Sequence, residues 1–434
     1  MRRAWTLFGA LCLGTVAASA EEASGLSLAD ALQSALSQAP VVLEAKAERE
    51  AARHQKRVGL AAILPIVRAQ GSVLHRRERY SYERRLPFLA TSLSTRITDL
   101  ELLLVQPLVR LDRWAMKELG EEGDRLAVLI EQAARAQWLL EVARRWADLA
   151  ATKEALQAAE ARLRAAEEAA KSAKIKHRLG LIATPQQLAA QAALARARAS
   201  VLAARQRWRV QRAELASMIG RKRFRLPDPL RWPRLLATLS AEEARRQSAQ
   251  ALALRIAEER WRMARLRAKQ ALGSALPALD LVAGWQRQRT TNTIFGTGQT
   301  ATNTWVGLQL DVPIYAGGGA WAEYRRQQAL VEKARWALEE ERRKARLMAE
   351  RTVASLAMLD ARIEALAEAR KAAEEAARSA RAAFEVGSGR IEDWLDAEAR
   401  RMQAASELAA ARADRLKVEA AWLAWLGAID RLVQ

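Results

Sequence analysis

Between Arg113 and Leu179 the chain runs without a single proline, and only Gly120 and Gly123 interrupt its helix-forming residues. Rich in Ala, Glu, Arg, Lys and Leu, this stretch is predicted to fold as one helix. At about 1.5 Å per residue it reaches on the order of 100 Å, a rod that no compact domain accommodates. Val142, Leu149, Leu156, Leu163 and Ala170 fall seven apart, and Ala159 and Ala166 follow two of them by three. Leu356, Leu359, Ile363, Leu366 and Ala373 form a similar seam later on. Apolar residues recurring every three and four positions make a coiled-coil-like stripe. A long helix followed by a tight turn and a second helix pairs its arms antiparallel, so long hairpins are expected. Composition agrees: apolar residues make up 50% of the chain but aromatics only 5%, much of the difference being alanine, and 10 Pro and 20 Gly leave few breaks. A chain of 434 residues would otherwise suggest two or three globular domains.

The chain is written twice. Leu64-Pro65 recurs as Leu276-Pro277, Gln106-Pro107-Leu108 as Val312-Pro313-Ile314, Leu179-Gly180-Leu181 as Val386-Gly387-Ser388, and Ile219-Gly220 as Leu426-Gly427, at offsets of 206 to 212 residues. That period is far longer than a solenoid repeat and indicates a duplicated, domain-sized unit. We expect residues 21–220 to form the first repeat, 221–240 an inter-repeat equatorial linker, and 241–434 the second repeat. Each repeat holds a helix, two strands (about 64–76 and 97–107, then 277–288 and 303–313) and a long hairpin turning near 180–185 or 387–391.

The strands have period two. Val67, Ala69, Gly71 and Val73 alternate with Ile66, Arg68, Gln70 and Ser72, and Leu100, Leu102 and Leu104 alternate with Asp99, Glu101 and Leu103. Leu279, Leu281, Ala283 and Trp285 alternate with Asp280, Val282, Gly284 and Gln286; Val306, Leu308 and Leu310 alternate with Trp305, Gly307, Gln309 and Asp311. Periodicity alone allows two ordinary hairpins over a helical core. It equally allows a transmembrane β-barrel, whose strands alternate lipid-facing and lumen-facing residues. In the second case four strands are too few, because small closed barrels need about eight and open edges do not persist in lipid. Several chains would then share one barrel. The loops joining the paired strands, Arg76–Arg85 and Arg289–Asn303, are polar.

Arg2 and Arg3, the apolar run Ala4–Ala17, and Ala18-Ser19-Ala20 before Glu21-Glu22 form a secretory signal, residues 1–20, with cleavage expected after Ala20. Cys12, the one cysteine, lies inside that run without the small pair that precedes a lipoprotein cysteine, so no lipid anchor is expected. A disulfide framework and a Cys-based metal site are excluded. No later stretch is apolar for long enough to cross a membrane as a helix. The net charge is +21, from 71 basic and 50 acidic residues, and cleavage removes only two of these charges. Such a balance suits nucleic acid or an anionic membrane surface. Export argues against nucleic acid, although the stretch His75–Arg85 mixes basic and aromatic residues; elsewhere bases alternate with acids along helices. His54, His75 and His177 are scattered, and no phosphate loop, nucleophile elbow or paired-His motif occurs, so no metal, cofactor or catalysis is expected.

These landmarks together resemble the TolC family of outer membrane efflux proteins over essentially all of residues 27–430. The likeness rests on Leu64-Pro65, Leu102-Leu103-Leu104-Val105-Gln106-Pro107-Leu108, and the run from Leu308 to Gly318. Phe384-Glu385-Val386-Gly387, Asp393-Trp394-Leu395-Asp396-Ala397 and the duplication add to it. The resemblance implies a mainly α fold with a small transmembrane β part. Long antiparallel coiled-coil hairpins would form a periplasmic α-barrel that continues into a 12-stranded β-barrel shared by three protomers, four strands each. It implies a passive outer membrane exit duct of a tripartite efflux or type I secretion system. The partners would be outer membrane lipid, a periplasmic adaptor (membrane fusion) protein and an inner-membrane pump of RND or ABC type. An exported coiled-coil scaffold protein without a channel is the alternative.

By the same resemblance the adaptor-contact turns comprise Leu179, Gly180, Leu181 and Thr184 in the first repeat and Val386, Gly387, Ser388 and Ile391 in the second. Gly180 and Gly387 serve equally as helix caps, since glycine takes positive φ without a Cβ clash. Asp393 and Asp396 match aspartates of the family's periplasmic gate. Three apart on one helix, they share a face, where the negative charge of three copies would attract cations; Asp393 also suits a helix first turn. Gln186 stands in the first repeat where an aspartate is frequent, and Gly389 where the best-known member has an arginine, so any salt-bridge lock must differ here. Asp99, Glu101, Asp280 and Asp311 are the barrel-lumen candidates, with simple solubility of an inward face as the competing reading. Part of the positive charge is assigned to the Arg76–Arg85 loop, facing lipopolysaccharide phosphates.

Overall fold

The computed structural model describes residues 25–37, 39–79, 81, 92–221, 223–292, 297–315 and 317–432. The expected signal peptide, residues 80 and 82–85 of the first polar loop, 293–296 of the second, and Ala316 of the glycine-rich run lie outside the described residues. The first half of the chain forms α1 (Leu28–Leu36), α2 (Pro40–Ala61), β1 (Ile66–Arg79), β2 (Ser92–Val109), α3 (Leu111–Arg178) and α4 (Thr184–Ile219). The second forms α5 (Ala241–Ser248), α6 (Leu252–Gly273), β3 (Ala278–Thr290), β4 (Gln299–Asp311), α7 (Gly319–Val386) and α8 (Ile391–Leu426), then a 3-10 turn, Ile429–Leu432. The longer corresponding helices are equal in length: 22 residues in α2 and α6, 68 in α3 and α7, 36 in α4 and α8.

Compact packing divides the residues into two units, each drawing on both halves of the chain. One combines the described residues up to Leu43, Gln132–Leu252 and those from Ala345 onward. The other combines Glu44–Glu131 with Ala253–Lys344 and contains all four strands.

In the first unit α3 and α4 run antiparallel. Arg145 Nη1 bonds Glu214 at 2.6 Å, Thr152 meets Gln211, and Arg205 Nη2 bonds Glu160 at 2.9 Å, partners moving in opposite directions along the two helices. The expected seam is present in part. Val142 and Leu149 are buried, whereas Leu156 and Leu163 are only half-buried and the buried line continues through Ala159, Ala166 and Ala173. Alanine at these positions lets neighbouring helices approach closely.

The linker after α4 is strapped to helices. Lys153 Nζ donates to Pro227 O at 2.9 Å, and Trp232 Nε1 donates to Glu154 at 2.8 Å. Glu419 of α8 is 0% exposed and accepts the Leu235 and Leu236 amides at 3.1 and 3.4 Å. Arg415 bridges Glu419 to Asp360 of α7. Burial pushes the Glu419 carboxyl up, against the pull of the two amides and Arg415.

In the second unit the strands form one antiparallel sheet in the order β1-β2-β3-β4. β1 and β2 pair from Ile66↔Val105 to Arg79↔Ser92, and β3 and β4 from Ala278↔Asp311 to Thr290↔Gln299. β2 and β3 join the two hairpins, with a register shift between Pro107 and Val109. Proline lacks an amide hydrogen, so a ladder disrupted beside Pro107 is expected.

Candidate functional sites: the sheet faces and the hairpin ends

Residues directly opposite in an antiparallel ladder share a face, so the register assigns every strand residue to one side. One side carries the row Gln70–Glu101–Gln286–Asn303 across all four strands, and beside it Ser72–Asp99–Gln288. Asp280 opposes Gln309 and Asp311 opposes Ala278 on this same side. Every acid of the four strands lies here: Glu78, Asp99, Glu101, Asp280 and Asp311. Asp99 accepts a hydrogen bond from Gln286 Nε2 at 3.0 Å. Trp305 also sits on this side, opposite Gly284, where a Cβ would come within 2.2 Å of the indole; glycine is what makes room for the ring.

The other side is apolar through most of its length. Its rows are Leu279–Leu310, Leu281–Leu308, Val67–Leu104–Ala283–Val306 and Ala69–Leu102–Trp285–Thr304. These side chains face outward from the chain: Val306 is 75% exposed and Leu308 66%. A contiguous exposed apolar surface of this kind marks contact with lipid or with another protein.

Three of the four expected lumen acids are thus half-exposed or exposed charges on one face. Asp280 differs. It is 6% exposed and held by Arg110, just past β2, through Nε at 2.9 Å and Nη2 at 2.6 Å. A bidentate guanidinium neutralises the carboxylate, which removes Asp280 from the free charges of that face. Arg77, Glu78 and Arg79, expected in a loop, are strand residues of β1.

At the hairpin ends, both turns are built alike. Gly180 (φ 72°) and Gly387 (φ 90°) follow α3 and α7 in the left-handed conformation. The Gly180 and Leu181 amides donate to His177 O at 2.9 Å and Lys176 O at 2.8 Å. Gly387 and Ser388 repeat this with Phe384 O at 3.2 Å and Ala383 O at 3.0 Å. This is the Schellman closure, which satisfies the last carbonyls of a helix. It leaves Leu179, Leu181 and Val386 projecting, Val386 being 84% exposed. Thr184 Oγ1 lies 3.2 Å from His177 Nε2.

Behind the turns one core joins both hairpins: Ala165, Ala169 and Ala173 of α3, Ala190 of α4, Phe384 of α7, and Ile391 and Trp394 of α8. The Phe384 and Trp394 rings stand 5.6 Å apart. Lys176 Nζ donates to Phe384 O at 2.6 Å and sits 4.0 Å above the Phe384 ring. One expected contact residue is taken up by this core, and one expected gate residue caps a helix. Ile391 is 1% exposed, a core residue with no surface to offer. Gln186 caps α4, its Oε1 accepting the Ala183 amide at 3.3 Å. Gly389 is crowded, since a Cβ there would lie 2.9 Å from the Ala383 Cβ, so this turn excludes an arginine at that position without a shift. Asp393 and Asp396 are exposed on one face of α8, and among the described residues neither is in a hydrogen bond or ion pair.

Lys176 and Arg110 were not foreseen from the sequence. A basic residue directly after a strand, and one in the last helical turn before a glycine, were the available signals. Among the described residues no group of three or more His, Cys, Asp or Glu side chains is arranged to hold a metal, and no helix is long and apolar enough to cross a membrane.

An amphipathic four-stranded sheet combined with paired helical hairpins of this length is the fold of outer membrane channel subunits. The outer membrane protein VceC of Vibrio cholerae matches with a TM-score of 0.76 at 19% identity, over 92% of this chain and 96% of its own. The Campylobacter jejuni CmeC outer membrane channel matches at 0.77 and 14% identity, over 98% and 94%. The open state of the Neisseria gonorrhoeae MtrE outer membrane channel matches at 0.70 and 20%, over 94% and 90%. No curated protein sequence matches the chain. The family model for outer membrane efflux proteins matches twice, over residues 31–221 and 238–428. The chain belongs to the outer membrane efflux protein family. It is an outer membrane exit duct for efflux, and its family and fold are those of channels.

Proposed function

We propose that three copies assemble into one duct, their sheets closing a 12-stranded barrel in the outer membrane and their helical hairpins extending into the periplasm. The observation that carries this is the segregation of all five strand acids onto one sheet face, with the opposite face free of acids and carrying a band of apolar side chains, Val306 and Leu308 among them exposed. Among the described residues the sheet's outer strands, β1 and β4, each pair on one side only, and lipid tolerates no open edge. Closing them through neighbouring copies satisfies the backbone, puts Asp99, Glu101 and Asp311 against water, and turns Val306 and Leu308 to lipid.

Substrate enters from an inner-membrane pump of RND or ABC type through a periplasmic adaptor protein. The exposed turn residues Leu179, Gly180, Leu181, Thr184, Val386, Gly387 and Ser388 receive the adaptor. Asp393 and Asp396, exposed and unpaired among the described residues, ring the periplasmic gate. A cleaved signal, residues 1–20, delivers the chain.

Planar-bilayer recording tests this reading. The purified protein should form a heat-modifiable trimer that conducts with cation preference, and D393A/D396A should lower that preference. Unchanged selectivity removes the two aspartates from the gate. Recovery of the mature chain as soluble periplasmic material without conductance replaces the duct with a coiled-coil scaffold.

A further inference from the structure

The apolar face of the sheet changes character toward the loop ends of its strands. Carrying the register past the row Trp285–Thr304, the same face presents Arg287, then Arg289, then His75 opposite Arg96, then Arg77 and Arg79. All six side chains are exposed. The four strands contain seven arginines, five of them on this face, and no acid shares the face with them. Among the described residues none of the five arginines is in an ion pair. On the helices the pattern is the opposite: Arg326, Arg342 and Arg378 each bond a glutamate three residues earlier, at 2.8, 2.6 and 2.6 Å. A face shaped only for solubility would mix its charges in that way. This one holds a single sign, directly above an apolar band.

The height of the band is informative. Arg287 lies eight residues along β3 from Leu279. At about 3.4 Å per residue and a strand tilt of roughly 40°, that is on the order of 20 Å of membrane thickness. Barrels carry apolar bands about 25 Å tall. The arginines therefore begin where hydrocarbon gives way to headgroups.

We propose that this basic girdle binds the headgroup phosphates of a phosphorylated glycolipid in the outer leaflet, which seats its acyl chains against Val67, Leu102 and Val306. The inference rests on the barrel reading, since it needs this face to be the lipid-facing one. Guanidinium forks match phosphate oxygens bidentately, and arginines on three adjacent strands offer one headgroup several such forks.

The test uses the purified wild-type trimer in detergent, titrated with diphosphoryl lipid A or with the same lipid stripped of phosphate, bound lipid being read by native mass spectrometry. The diphosphoryl form should bind more tightly. R287Q/R289Q and R77Q/R79Q should each weaken it by on the order of 25-fold, from about fivefold per arginine facing an anionic surface. R68Q, on the opposite face, should leave binding unchanged. Equal affinity for the two lipids, or an equal loss with R68Q, overturns the proposal. So does displacement of the lipid by inorganic phosphate, which would mean a free-anion site. Failure of the barrel reading is separate, and appears as wild-type protein that does not insert into phosphatidylcholine vesicles.

Discussion

Val306→Arg examines the assignment of the two sheet faces directly. Val306 lies four residues along β4 from Leu310 on one side and four from Thr302, the partner of Arg287, on the other. At about 3.4 Å per residue and a strand tilt of roughly 40°, it sits on the order of 10 Å of membrane height from each, at the middle of the apolar band. An arginine at the midplane of a barrel's lipid face costs about 2–4 kcal/mol, against about 0–1 kcal/mol near an interface. One protomer therefore loses a factor of roughly 30 to 900 in its folding equilibrium, and a trimer accumulates roughly 6–12 kcal/mol. Thr300→Arg, on the same face beside Arg289, should cost no more than about 1 kcal/mol. Gly307→Arg points to the polar face, where a Cβ meets nothing within 4 Å, and should fold almost as wild type. Urea unfolding in phosphatidylcholine vesicles, read by heat-modifiable mobility, gives all three values. A V306R variant as stable as wild type, with G307R unable to fold, would invert the faces and refute the reasoning.

Other substitutions probe the helical parts. Gly387→Ala places a Cβ in open space but at φ 90°, so its cost is purely conformational, about 1–2 kcal/mol, and hydrogen exchange at residues 384–390 should quicken; unchanged exchange would show that another residue closes the turn. Glu419→Ala strips the Leu235 and Leu236 amides and buried Arg415 of their acceptor, which should cost about 3–5 kcal/mol and open residues 221–240 to limited proteolysis; a resistant linker would contradict the strap. Burial, followed by the hydrogen bond to the Glu122 carboxyl, raises the Glu259 carboxyl above its ordinary 4.5. Its stabilising contribution is therefore complete below 4.5 and lost as pH climbs through the raised value. Glu259→Gln cannot ionise, so the fall of Tm over that window should flatten, whereas parallel pH profiles would remove the carboxyl pair from the account.

Much of the architecture was legible because it is periodic. A two-residue alternation reveals a strand's faces whatever the strand pairs with, and the duplicated landmarks identify matching elements without any structure. What escaped was whatever depends on a distant partner. Asp280 reads as a free acid until Arg110 arrives from 170 residues away, and Ile391 reads as a turn residue until Phe384 and the alanines of α3 close over it. Which side of the stripe is buried also depends on the neighbouring helices: Ala159 and Ala166 are buried while Leu156 and Leu163 are only half-buried, a choice a heptad count does not make. The arginine girdle was within reach: Arg77 and Arg79 have the parity of Val67, Ala69 and Val73, and a count carried beyond Val73 places them on the apolar side.

The equal lengths of corresponding helices restrict how such a chain can change. Each residue removed from α3 turns everything beyond it by about 100° and draws it back by about 1.5 Å, so a single deletion carries the buried alanines around to solvent. Removing two full turns restores the facing but puts α3 out of step with its antiparallel partner α4, and with α7 and α8, whose 68 and 36 residues would be untouched. Length variants of this fold should therefore arise in quantised steps near seven residues, taken on both arms and in both repeats together.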